Sequence, residues 1–294
     1  MRIEGDTSIL KKWFYLSIGF ILITSIVYSF SFLINDRIDW NILLFLNPDS
    51  YVPVIDEFMI LITDFSMFGF GLVFVVWEIC YQVTKGTQRS KESVNNILNI
   101  LGIISAAITV SAYFWAGYAY SIIFFPLALF FWAAFRFIGN TIANYSAEKL
   151  AQINRLFWIT LLATVLTELA TDQFIKELVA RPRPLSETYA AFNAGLRRVP
   201  DEIVLGGYSY VSSHASVFFA MSTPLMWFVS KKYVKAALFI WASIHAFTRI
   251  YLAAHFPYCT LMGAVLGFSM ATLVIKIFGE SSQYKVADCS SQGP

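Results

Sequence analysis

Three short segments bring basic and histidine side chains to spacings that suit phosphate chemistry. The first is Lys176-Glu177-Leu178-Val179-Ala180-Arg181-Pro182-Arg183-Pro184. Pro182 and Pro184 cannot continue a helix, so Lys176 falls in a last helical turn and Arg183 just beyond it. Two fixed cations there can clamp a phosphate, the Arg as a planar fork and the Lys as a point charge, or they can snorkel to lipid headgroups. The second segment is Val211-Ser212-Ser213-His214. Serines at a helix start cap its free N–H groups, and the same groups beside a hydroxyl make an anion site. His214 would stand ready to hand a proton to a departing oxygen. The third segment runs from Thr248-Arg249 to His255-Phe256-Pro257-Tyr258-Cys259. Pro257 suits the first turn of a new helix, so Arg249 and His255 flank a tight turn. The chain has 3 histidines. The remaining one, His245, lies one helical turn before Arg249 and is expected to pack within its helix, with support of Arg249 as the alternative.

The elements that position these segments are membrane spans. Of 294 residues 57% are hydrophobic and only 14% charged, with a mean hydropathy of +0.63; a soluble domain carries about 25% charge. The net charge is +2 and no long single-sign run occurs, which excludes a nucleic-acid binder and a disordered chain. Cys80, Cys259 and Cys289 are too scattered for a disulfide framework or a zinc knuckle. The apolar residues gather in blocks of about 20, the length that crosses the hydrocarbon of a bilayer. They run over 14–34, 58–82, 97–117, 119–138, 156–178, 211–229, 236–254 and 257–277. The expectation is therefore an all-α, polytopic helical bundle of about eight transmembrane helices. The first block is too long for a signal-peptide core of roughly 7–15 residues and is read as an uncleaved span. The stretch 97–138 is twice a span, so a tight turn is expected at Ala116-Gly117-Tyr118. All three basic segments then fall at span ends on one membrane face.

Short cytoplasmic loops collect Lys and Arg. With both termini cytoplasmic, the loops holding Lys85, Arg89 and Lys91, or Lys231, Lys232 and Lys235, lie inside, and the acidic loop 35–57 lies outside. The outward cations Arg37, Lys176, Arg181, Arg183, Arg197, Arg198 and Arg249 break the rule, and all but Arg37 lie in or beside the three segments. Their placement points to one site on the non-cytoplasmic surface of a cell membrane or endoplasmic reticulum.

Lys-x6-Arg-Pro, then Ser-x-His, then Arg-x5-His resembles the three-part signature of the type 2 phosphatidic acid phosphatase family, which shares its site with vanadium haloperoxidases. The resemblance covers about 156–277. It implies that Lys176, Arg183 and Arg249 bind phosphate together with Ser212 and the Ser213 N–H, that His214 protonates the leaving group, and that His255 attacks phosphorus. No metal or other cofactor is implied. Three positions depart from the pattern. Val211-Ser212-Ser213-His214 replaces Pro-Ser-Gly-His, Thr248 replaces a serine, and Cys259 stands where an Asp that orients the nucleophilic imidazole is expected. The stretch from Arg249 to Pro257 also resembles the glucose-6-phosphatase branch, which lacks that Asp. Thr248, Cys259 and Asp172 are candidates for support. Glu168, Asp172 and Lys176 are spaced by four on one helical face and read either as an internal ion-pair stripe or as a support for Lys176.

The organisation expected is N-terminal spans over 1–155, a phosphatase-like core over 156–278 and a cytoplasmic tail over 279–294. The activity expected is metal-independent hydrolysis of a lipid phosphate or pyrophosphate through a phosphohistidine, with the lipid substrate and membrane lipids as partners and the oligomeric state left open. Glucose-6-phosphatase-like hydrolysis of a soluble ester is one alternative, and a catalytically reduced binder or transporter of lipid phosphates is the other.

Overall fold

The computed structural model describes residues 36–47, 52–84, 88–116, 118–190, 195–197 and 207–279, with Tyr15, Ile18 and Gly19 before them. The expected span 14–34 falls almost wholly outside the described residues, as do the tail beyond Gly279, Arg198 and Cys289. Every extended element among the described residues is helical. They are α1 (Asp36–Leu46), α2 (Pro53–Thr84), α3 (Gln88–Ala116), α4 (Tyr118–Asn144), α5 (Ala147–Leu169), α6 (Ser213–Phe228), α7 (Lys232–Tyr251) and α8 (Pro257–Val274). α5 continues through a wider π turn, Ala170–Ile175, into a last turn, Lys176–Val179. The long apolar run divides where a turn was expected, with α3 ending at Ala116 and α4 starting at Tyr118, and the two helices pack along each other.

Among the described residues two stretches, Ala147–Val179 and Pro257–Phe278, are long and apolar enough to cross a membrane, and Phe70–Thr84 is a shorter apolar stretch. α6 lies at the centre, packed on α5, α7 and α8. Its approach to α8 is set by backbone contact. A Cβ on Gly267 would fall 1.9 Å from the Ser216 carbonyl oxygen, and one on Gly263 would fall 2.5 Å from that of Ser212. Small residues one turn apart allow helices to touch in this way. On α5 the hydroxyls of Thr160, Thr164, Thr167 and Thr171 each donate to the carbonyl four residues earlier, at 2.7–2.9 Å. This satisfies them inside the bundle, and Thr171 also meets Ser216 of α6 at 3.1 Å. α2 joins α5 through the Trp77 indole N–H, which donates to Asn154 Oδ1 at 2.8 Å, and through a stack of Trp77 on Phe157.

The chain direction alternates, so the C-terminal ends of α5 and α7 meet the N-terminal ends of α6 and α8. At the opposite end Arg155 at the base of α5 donates to the Phe278 carbonyl beyond α8.

A side chain at residue 267 has nowhere to go but into backbone. Gly267→Val should destabilise the protein by at least about 1–3 kcal/mol, the usual cost of overpacking, seen as a lower melting temperature of the purified protein. A melting temperature equal to the parent's would contradict the close contact.

Candidate active site

Both basic helix ends stop on a left-handed alanine. Ala180 (φ 49°) closes α5 with its N–H on the Lys176 carbonyl at 2.8 Å, and Ala253 (φ 52°) follows α7. At α7 the Ala253 N–H donates to Ile250 O and the Ala254 N–H to Arg249 O, both at 3.0 Å, which is the Schellman pattern. The His255 N–H joins Ala254 on the Arg249 carbonyl at 3.0 Å. Arg249 and His255 are thus tied by one backbone oxygen, although no glycine marks the turn.

Lys176 lies 2.5 Å from Asp172 Oδ1, one turn earlier on α5. The Lys176 ammonium also donates to Ser213 Oγ, which in turn donates to Asp172 at 2.8 Å. Glu168 is hydrogen-bonded to Asp172 a further turn down. The stripe on α5 is therefore an ion-pair network that holds Lys176 against the start of α6. Asp172 is bonded to Lys176, Ser213 and Glu168 and not to the His255 ring. Ser212 is the N-cap of α6, its hydroxyl accepting the Ala215 N–H and its own N–H donating to Cys259 O at 3.0 Å. His214, half-buried in the first turn of α6, is surrounded by the charges of Arg249, Lys176 and Arg183.

His255 is buried just before α8. Its Nδ1 lies 2.8 Å from the Ser209 carbonyl oxygen, and its Nε2 lies 3.5 Å from Arg183 Nη1. A carbonyl only accepts and a guanidinium only donates, so both contacts require the proton on Nδ1 and a bare lone pair on Nε2. Burial holds the His255 pKa well below the usual imidazole range, and the positive charges of Arg183, Arg249 and Lys176 push the same way. Arg183 also donates to the Ala254 carbonyl at 3.3 Å.

Behind His255 lies a cluster centred on Arg181. Its guanidinium is fully buried, 2.9 Å from Asp39 Oδ2 on α1, 3.0 Å from Cys259 Sγ and 3.8 Å over the Phe256 ring. Cys259 accepts a second contact from Ser209 Oγ at 3.4 Å. A second buried pair clamps the segment between the first two motifs. Arg197 forms a bidentate pair with Asp56 of α2 at 2.8 and 2.9 Å, and the Tyr251 hydroxyl donates to the same carboxylate.

The structure brings Lys176, Arg183, Ser212, Ser213, His214, Arg249 and His255 to one end of the bundle. It sets His245 apart, stacked on Phe218 at 3.6 Å and edge-on to Trp241 at 4.4 Å, which is the packing role. Thr248 is occupied by packing contacts, accepting from Thr63 of α2 at 2.7 Å and donating to the His245 carbonyl. Asp39, Arg181 and Ser209 had no assigned role in the sequence. Asp39 could have been noticed as an acidic residue on the apolar Asp39-Trp40-Leu43 edge of a short helix. Ser209 meets the His255 ring at 2.8 Å through its carbonyl, which leaves no residue-type signal, and its hydroxyl lies farther off, 3.5 Å from Nδ1.

Residues 152–283 match the PAP2 superfamily. All the motif residues above lie within this matched segment, whereas Asp39, Asp56 and Thr63 reach it from α1 and α2. The chain is also similar to the lipid A 4'-phosphatase of Bacteroides thetaiotaomicron, 28% identical over 96 residues, which is 33% of this chain and 42% of that protein's length. No solved structure matches.

The cations gathered at this end suit an anion before any chemistry. Inorganic phosphate should bind the purified protein, and Lys176→Met and Arg183→Gln should each weaken it about tenfold or more, the worth of one charge-assisted hydrogen bond. His245→Phe should leave the affinity unchanged. Titration calorimetry measures all three, and equal affinities across them would refute the site.

Proposed function

We propose that this protein is a multi-pass membrane phosphatase that hydrolyses a lipid phosphate or pyrophosphate at the non-cytoplasmic membrane surface through a phosphohistidine on His255. The observation that carries this reading is the bare Nε2 of His255 beside Arg183, at the end of the bundle where Lys176, Ser213 and His214 also meet. In the first step the Nε2 lone pair forms the N–P bond while the P–O bond to the lipid breaks. His214 gives its proton to the departing oxygen. Water then attacks phosphorus and loses a proton to His214, and the N–P bond breaks to release phosphate and neutral His255. Lys176, Arg183 and Arg249 neutralise the non-bridging oxygens, with the α6 N–H groups of Ser213 and His214 beside them. Phosphoryl transfer needs this positioning and charge neutralisation more than covalent assistance. The substrate's own charge offsets the three cations and lets His214 carry its proton.

A lipid substrate is supported by the match to the PAP2 superfamily and by the similarity to a lipid A 4'-phosphatase. Membrane residence is supported by outward apolar side chains along the bundle. These include Val75, Ile79 and Val83 on α2, Ile97, Ile100 and Ile103 on α3, and Leu129, Phe130 and Phe137 on α4. α2, α3 and α4 contain 32, 29 and 27 residues, each enough to span. In this reading residues 1–155 supply the N-terminal membrane helices of an eight-span bundle and 156–278 its phosphatase core. Lys231, Lys232 and Lys235 lie at the α6–α7 turn, away from the site, which fits a cytoplasmic face there.

Purified protein should release phosphate from lipid phosphates or isoprenyl pyrophosphates in the presence of a chelator, and far more slowly from glucose 6-phosphate. Loss of all turnover in chelator, restored by magnesium, would overturn the charge assignment. His255→Ala, His214→Ala and Arg249→Ala should each lower kcat at least about 10²-fold, the scale of losing one transition-state contact.

The pH dependence follows from the neighbours of His255. Its neutral form is the nucleophile, and its depressed pKa keeps it neutral as pH falls through the ordinary imidazole range, so the acid limb of kcat/KM lies below about pH 6.5. Arg183→Gln removes a repelling cation, raises the His255 pKa and moves that limb to higher pH. A limb that stays put in Arg183→Gln would assign it to another group.

A further inference from the structure

Among the described residues no carboxylate is bonded to the His255 ring. Its Nδ1 proton goes to the Ser209 carbonyl at 2.8 Å, so the aim of Nε2 depends on where the Ser209 backbone is held. The Ser209 N–H donates to the Arg181 carbonyl at 2.7 Å. Arg181 is in turn fixed by Asp39 Oδ2 at 2.9 Å, by Cys259 Sγ at 3.0 Å and by the face of Phe256. The other oxygen of Asp39 accepts the Tyr258 N–H at 2.9 Å, in the first turn of α8. A single carboxylate on α1, only 5% exposed, therefore fixes both backbone segments that flank His255. One arm runs through Arg181 to Ser209 ahead of the ring, and the other runs to Tyr258 behind it.

We propose that Asp39 is a positioning residue for His255, acting through Arg181 on the Ser209 carbonyl and directly on the start of α8. The inference rests on the reading of His255 as the nucleophile. Asp39 touches neither the ring nor the phosphate, so its removal should disturb the aim of Nε2 more than the binding of substrate. Cys259 adds a specific expectation. Its Sγ already receives an Arg181 N–H, so a carboxylate at position 259 would stand where the guanidinium points and could take over the pairing that Asp39 provides. A side chain carrying only a packing role could not be rescued in this way.

The test uses the full chain in mixed micelles with phosphatidic acid and a long-chain isoprenyl pyrophosphate as probes. Asp39→Asn should lower kcat at least about tenfold with KM and phosphate affinity within about two-fold, since a small misplacement of a reacting group costs this much or more. Asp39→Asn with Cys259→Asp should return kcat to within about three-fold of the parent and recover the parent's pH profile. An Asp39→Asn protein with the parent's kcat would overturn the proposal. So would a folded double variant, with the parent's melting temperature, that stays as slow as Asp39→Asn; this second comparison holds even where Asp39→Asn alone does not fold. His255→Ala separates the two readings. If the parent is no faster than His255→Ala, the nucleophile assignment fails and this inference with it, whereas if His255→Ala is inactive the Asp39 result bears on Asp39 alone.

Discussion

Four like charges in one dry corner are the constraint around which this structure is arranged. Lys176, Arg181, Arg183 and Arg249 are gathered at the same end of the bundle, and Arg181 and Arg249 are almost entirely removed from solvent. Burying a cation without a partner is expensive, and several together repel. The fold answers differently for two of them. Lys176 leans on Asp172 of its own helix, while Arg181 takes Asp39 from α1 and the face of Phe256. Arg183 keeps neutral acceptors, the Ala254 carbonyl and His255. Of the two carboxylates, Asp39 is buried behind the cluster, whereas Asp172 stays part-exposed beside Lys176.

The same crowding governs the histidine. With cations on one side and a carbonyl on the other, the His255 ring has only one tautomer that satisfies both contacts, and its charged form is disfavoured. A buried imidazole held neutral is a nucleophile without further activation. Its surroundings depend on backbone groups, namely the Ser209 and Arg249 carbonyls and the α8 amide of Tyr258. The non-glycine left-handed residues Ala180 and Ala253 sit at the two helix ends that carry these groups, a conformation kept only where the surrounding structure fixes it.

What could be read in the sequence follows from which atoms do the work. Side chains at helix ends announce themselves by type and spacing, so Lys176, Arg183, His214, Arg249 and His255 could be grouped before any coordinates. The break between α3 and α4 was legible from length alone, and the packing of His245 from its place inside a helix. Contacts between distant segments were not. Asp39 and Arg181 are far apart in the chain, and nothing local in either marks the other. The shorter contact of Ser209 with His255 is made by a carbonyl, which every residue possesses. The hydroxyl of Thr248 also bridges α2 and α7, a contact its sequence position does not announce. The first span could not be compared, since it lies almost wholly outside the described residues.

The contact of Gly267 with the Ser216 carbonyl has a meaning beyond packing. His214 opens α6 and His255 precedes α8, so the gap between these two histidines is gauged by main-chain atoms pressed together along the helix pair. Exposed side chains such as Leu261 and Phe268 point away from that contact. Changes there leave the spacing of the two histidines untouched.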